Sequence, residues 1–197
     1  ISRIKGDVNG KRPIDSTLCP VIIWMQCNQK QTGGLPMRQE ILSRAYDAIG
    51  EHTPMLHDCG ALCRAACCRP DADGQGGVHL FPGEKALLAD CAWGRIVPDA
   101  FAPMLVCEGM CQRDARPLGC RIFPLTPVRG KNGKWTVRMD ARARAMCPLA
   151  AHGLSGLDPA FPRAVRDALR IVAEDPEGDA FLEKWAALEA QYRQPLW

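Results

Sequence analysis

From Met37 onward the chain falls into a helical rhythm. Ile41, Leu42, Ala45, Ala48 and Ile49 recur at the three- and four-residue spacing that gathers apolar side chains on one face, and Gly50 ends the pattern. The stretch His52–Asp73 has no such period and runs into Asp71, Asp73, Gly74, Gly76 and Gly77, a turn-rich connector. Val78–Phe81 reads as a short strand. Pro82–Asp90 reads as a helix with proline near its start and an early acid, Glu84. Ala102–Val106 is apolar and extended. Ile122–Val128 and Trp135–Met139 flank Asn132-Gly133, which predicts a hairpin closed by a type I′ turn. Two more helices are predicted over Pro159–Ala173 and Asp179–Tyr192, the second presenting Phe181, Trp185 and Leu188 on one core-facing side. Short strands flanked by helices indicate a small α+β single domain.

The first 36 residues read differently. They mix charges, glycine and proline with one apolar run, Val21–Met25, that lacks the cleavage pattern of a secretory leader. The expectation is a non-native or disordered extension over residues 1–36, upstream of a domain that starts at Met37 and runs to residue 197. No run of about 18 apolar residues occurs, so no membrane association is expected. With 197 residues the chain can bury a core without covalent staples. The net charge is only +3, and no Lys/Arg block tracks phosphates. Arg138–Arg144 alternates with Met, Asp and Ala and reads as a solvated face, so no nucleic-acid partner is expected.

Cysteine changes the picture. There are eleven, and they are grouped. An odd count, a self-sufficient core, the lack of a leader pattern and the adjacency of Cys67 and Cys68 argue against a secreted disulfide framework. They argue for thiolates holding a metal in a reducing compartment, the cytosol. Cys19 and Cys27 lie in the upstream stretch and are set apart. The first group is Cys59, Cys63, Cys67 and Cys68; the second is Cys107, Cys111 and Cys120, with Cys147 further on. Short spacings let sulfurs converge on one centre, either a tetrahedral zinc or an iron–sulfur cluster. All eight are predicted metal ligands. They divide simply, as Cys59, Cys63, Cys67, Cys68 against Cys107, Cys111, Cys120, Cys147, or in an interleaved way with Cys67 and Cys68 serving different centres. Gly60, Gly109 and Gly119 are expected to supply positive φ in the ligand loops. Ala61, Ala65 and Ala66 would admit close backbone approach.

Four thiolates on Zn²⁺ leave a charge of −2 that needs donors or cations when buried. Arg64, Arg69, Arg113, Arg116 and Arg121 are interleaved with the ligands, and Arg116 and Arg121 are the cofactor-binding candidates. His57 and His152 read as surface residues and His79 as a satisfied strand-edge residue. Cys91 stands alone, so its replacement by serine is expected to be nearly silent.

The string Arg116-Pro117-Leu-Gly-Cys120-Arg121-Ile-Phe-Pro124, with Cys59–Cys68, Leu80–Glu84 and Cys107…Cys111, resembles the CxxCxxCC-type zinc- or iron-chelating cysteine-cluster family (YkgJ-like proteins). The resemblance covers roughly Asp58–Pro148. The family's first cysteines are commonly two residues apart, where Cys59, Cys63 and Cys67 are here separated by three. The resemblance implies a metal-chelating protein holding zinc or an iron–sulfur cluster, with flagellin lysine methylases similar in their cysteine clusters. Two readings of function follow. One is a cytoplasmic metal-binding module, structural, redox or accessory, with a protein or peptide partner. The other is an iron–sulfur-dependent enzyme that modifies a protein or peptide, for example by lysine methylation. No Gly-x-Gly-x-x-Gly fingerprint of a cofactor-binding Rossmann unit occurs. Hydrolytic zinc chemistry ranks third, with Glu108 as its only nearby acid–base candidate. No catalytic residue is assigned.

Overall fold

Ile41, Leu42, Ala45, Tyr46 and Ile49 are all buried along helix α1 (Met37–Ile49), and Gly50 ends it at φ 47°. The structure is a computed structural model that describes residues 37–69, 76–107, 111 and 113–193. The expectations for residues 1–36, Glu108 and Gly109 lie outside these residues.

Helix α1 packs along α6 (Ala160–Val172). The fit follows from α6's sequence, in which Phe161, Ala164, Val165, Ala168, Leu169 and Val172 recur at three and four residues and are all buried. Between these two helices in the chain come a one-turn helix α2 (Gly60–Cys63), strand β1 (Val78–His79), helix α3 (Glu84–Leu87), strands β2 (Gly94–Val97) and β3 (Met104–Cys107), helix α4 (Leu118–Ile122), strands β4 (Leu125–Arg129) and β5 (Trp135–Met139), and helix α5 (Ala143–Met146). Helix α7 (Pro176–Gln191) closes the described fold. The mixed helix–strand make-up agrees with the α+β expectation.

The strands form two small antiparallel sheets, β1-β3-β2 and the hairpin β4-β5. Strand β2 was not foreseen. It pairs Gly94 with Cys107 and Val97 with Met104, and no alternation in Gly-Arg-Ile-Val announces it. The expected helix over Pro82–Asp90 shrinks to the single turn Glu84–Leu87, because Gly83 takes φ 92° and Leu88 leaves helical geometry. Ile122 closes α4 rather than opening a strand, and Phe123 is the extended residue that ends the helix.

The hairpin is real but its turn is not type I′. Only Gly133 has positive φ, at 73°, whereas Asn132 does not. Gly133 N donates to Gly130 O at 2.9 Å and Gly130 N to Lys134 O at 2.9 Å. That is a type I turn followed by a left-handed glycine, the alternative used when the loop is longer than two residues.

The last helix begins earlier than Asp179. Asp175 accepts from Glu177 N and Gly178 N, and Pro176 occupies the first turn, where its missing N–H costs nothing. Phe181 and Trp185 join Phe81 and Phe101 in an aromatic cluster, with ring centroids 4.8–6.3 Å apart. Arg138–Arg144 is less solvated than expected. Arg138 and Arg193 pair with the fully buried Glu189, and Arg142 binds the buried Asp140, so this segment clasps α7.

Candidate metal centre

Cys59 and Cys63 flank a single helical turn, and their four-residue separation places both side chains on the same face. Three intervening residues, rather than two, is therefore the spacing of this helix. Asp58 Oδ1 accepts Gly60 N at 3.0 Å and starts the turn, and Cys63 Sγ lies 3.8 Å from Cys59 O.

The chain then does what the glycines were expected to do, with other residues. Arg64 (φ 52°, ψ 41°) and Ala65 (φ 54°, ψ 40°) are both left-handed, while Gly60 is helical and Gly119 lies inside α4. Two successive non-glycine residues in this region are costly, roughly 1–2 kcal/mol each. Such backbone strain persists where its surroundings over-determine it, and it clusters at functional sites. Here it reverses the chain, so that Ala66–Cys68 folds back as a 3₁₀ turn and delivers Cys67 and Cys68. Gly119 serves close packing instead. A Cβ there would lie 2.4 Å from Val78 Cγ2 and 3.2 Å from His79 O, so α4 meets β1 almost backbone to backbone.

Cys107 ends β3, Cys120 is the third residue of α4, and Cys147 follows α5 with its N–H on Ala143 O at 2.7 Å. The fold brings these to the first group. Cys59 is within electrostatic reach of Cys63 and Cys147, Cys67 of Cys68, Cys120 and Cys59, and Cys120 of Cys68, Cys111 and Cys107. Pair by pair these interactions link all eight predicted ligands, and none forms a disulfide. The sulfurs of Cys67 and Cys68 stand 3.9 Å apart, far beyond the ~2.05 Å of a disulfide. Four sulfurs at ~2.3 Å from a tetrahedral zinc would stand about 3.8 Å apart, so this pair has the spacing of one tetrahedral edge. Among the described residues, however, no three His, Cys, Asp or Glu side chains surround a common point at metal-ligand distance. The donors fit a soft metal centre in kind.

Charge in the cluster is uneven. The Cys67 thiol hydrogen-bonds Cys68 and, with Arg116 nearby, holds the Cys68 thiol down to about 6 against the opposing effect of burial. Burial and the surrounding sulfurs push Cys120 well up. Burial, then the Asp58 charge, raises Cys59. Arg116 is the cation of the site. Burial disfavours its charge, but its hydrogen bond to Cys111 and the neighbouring Cys68 and Asp58 outweigh burial and raise it. Its buried Nε has no hydrogen-bond partner. Arg121 is placed differently: it donates to Arg116 O and Asp114 O and lies over the Tyr46 ring, 4.8 Å from the centroid. Arg64 and Arg69 are exposed.

Comparison with protein-family models, curated proteins and solved structures finds no match to this chain. The site must therefore be read from its own chemistry. His57 and His152 are exposed, and His79 bonds Asp99 at 3.0 Å on the edge strand β1. Cys91 is buried in the apolar core. An open cavity of about 570 Å³ lies beside Cys147, lined also by Arg144, Met146 and Pro148. Among the described residues no helix is long and apolar enough to cross a membrane.

The sequence places Glu84 as an early helix acid and within the Leu80–Glu84 motif segment, but gives it no role at the site. Its carboxylate is fully buried and accepts from Tyr46 Oη, from Phe81 N at 2.7 Å and from Leu118 N at 2.6 Å. Burial raises its pKa, and these three donors and Arg121 oppose that rise. An acid in the first turn of a helix ordinarily signals a helix-dipole partner at the surface. Nothing local marks this one as the acceptor for a backbone 34 residues away.

Proposed function

We propose that this protein holds a metal centre, zinc or an iron–sulfur cluster, through clustered cysteine thiolates, and acts as a structural, redox or accessory metal-binding module in a reducing compartment. One observation carries the reading. The two cysteine groups and Cys147, separated by up to 88 residues (Cys59 to Cys147), are free thiols linked pair by pair at electrostatic range, most of them partly buried. As the thiolates that bind metal, that many sulfurs could not be buried together without cations to neutralise them. Arg116 supplies one positive charge, and a metal would supply the rest. The motif likeness to the cysteine-cluster family supports the same reading.

In this reading Cys59, Cys63, Cys67, Cys68, Cys107, Cys111, Cys120 and Cys147 are the ligand pool. Arg116 neutralises thiolate charge, and Arg121 braces the backbone that presents Arg116. A bound centre would supply either folding energy or electron-transfer capacity. The test is metal and acid-labile sulfide analysis with a visible spectrum on protein purified without oxygen. One or two zinc ions per chain without colour favour a structural or hydrolytic zinc site. About four irons and four sulfides in a brown protein identifies one cube and brings the modifying-enzyme reading forward. Protein that carries neither metal and binds neither on addition refutes the proposal.

A further inference from the structure

A carboxylate with no exposed surface inside an apolar core is expensive unless its geometry is used. Glu84 has no exposed surface, and its three donors come from α1, from its own turn and from α4. The third is the consequential one. Leu118 is the first residue of α4, and its N–H has no acceptor within that five-residue helix. Glu84 Oε1 takes that N–H at 2.6 Å, and Cys120 follows two residues later. A helix this short has little stability of its own, so tertiary anchors set where it sits. From its other end Arg121 reaches back to Arg116 O at 3.1 Å and Asp114 O at 2.7 Å. Arg116 in turn hydrogen-bonds Cys111. A single buried carboxylate therefore anchors the start of α4, which carries one cluster cysteine, and, through α4, the cation that faces a second.

We propose that Glu84 is a positioning residue of the thiol centre, its reach to Leu118 N rather than its charge holding α4 so that Cys120 stands with Cys68, Cys107 and Cys111. This rests on the metal-centre reading above. Outer groups of this kind orient metal ligands, and their loss typically lowers affinity about 10- to 100-fold.

The two alternatives, reach and charge, separate in two substitutions. Glu84→Asp keeps the charge but withdraws the carboxylate by one methylene. Glu84→Gln keeps the length, and its amide oxygen can occupy the Oε1 position, retaining Leu118 N and Tyr46 Oη at the expense of Phe81 N. Tyr46→Phe removes one bond to the same carboxylate without touching Leu118 and serves as the control for general loosening of the core. Reduced, metal-free full-length protein is titrated anaerobically with cobalt(II), read by thiolate-to-cobalt charge-transfer absorption, and the affinity is taken by competition with zinc.

The expected result is a loss of about 10- to 100-fold in Glu84→Asp, with Glu84→Gln and Tyr46→Phe close to wild type. Wild-type affinity in Glu84→Asp overturns the inference, as does an equal loss in Glu84→Gln or in Tyr46→Phe. If Glu84→Asp does not fold by circular dichroism, Glu84→Gln still decides, since unchanged affinity supports reach and a loss refutes it. Wild-type protein that binds no cobalt and neither carries nor takes up an iron–sulfur cluster refutes the metal reading itself, and this inference with it.

Discussion

Gly119→Ala tests the packing that sets the centre in place. Within a helix the change ordinarily stabilises by about 1 kcal/mol, since alanine loses less backbone entropy. Here the new Cβ would lie 2.4 Å from Val78 Cγ2, 3.2 Å from His79 O and 3.3 Å from Trp185 Cη2. Carbon atoms rest at about 3.5–4.0 Å, so the Val78 contact is short by more than 1 Å. Val78 is β-branched and has few other rotamers to adopt. Overpacking of this sort costs about 1–3 kcal/mol. With the contact so short, the upper part of that range applies and exceeds the helix gain, leaving a net destabilisation of about 1–2 kcal/mol. For a chain of this size that is a fall in Tm of about 2–8 °C. Urea unfolding of the reduced, metal-free protein, followed by far-ultraviolet circular dichroism, measures it. In a Val78→Ala background the clash with Cγ2 is gone, and Gly119→Ala should become neutral or stabilising. A Gly119→Ala protein as stable as wild type, or the same loss in both backgrounds, would show that α4 and β1 are not in the contact described.

Two further outcomes separate the cluster from the core. Cys120→Ser should lose metal and stability together, because binding energy at such a site is also folding energy. Cys91→Ser should keep its metal but, contrary to the near-silence expected from sequence, lose about 1 kcal/mol or more in denaturant, since this thiol is buried in the apolar core and packs as a small hydrophobe; unchanged stability there would refute the packing argument. For pH, burial lowers the pKa of His79 below the ordinary histidine value despite the bond to Asp99. The unfolded chain therefore takes up a proton more readily than the folded one, so His79 contributes stability above about pH 6.5 that is lost as pH falls through its folded pKa. Comparing the urea midpoint of wild type and His79→Gln from pH 7.5 to 5.5 should give a shallower slope in the variant, and parallel slopes would contradict the assignment.

What could be read in the sequence was whatever depended on near neighbours. Helices α1 and α6 announce themselves because burial on one face imposes a period of 3.6 residues wherever the partner lies. The hairpin follows from Asn-Gly between apolar runs, although the turn type needed the φ of Asn132 and Gly133. The cysteine groups stand out because sulfurs that share a centre tend to recur at short spacing. Tertiary structure alone decided the rest. That Cys147 belongs beside Cys59 follows from the path of five intervening strands, not from any local pattern. Arg64 and Ala65 carry the left-handed turn because the loop must reverse between Cys63 and Cys67, a demand set by where the chain has to return. Glycine is merely the residue that meets such a demand most cheaply. Glu84 read as an early acid of a helix and a motif position, and its role as acceptor came only with Leu118 N and Tyr46, 34 and 38 residues away. Burial of a carboxylate depends on what packs over it, and the chain contributes those groups from distant positions that no local period encodes.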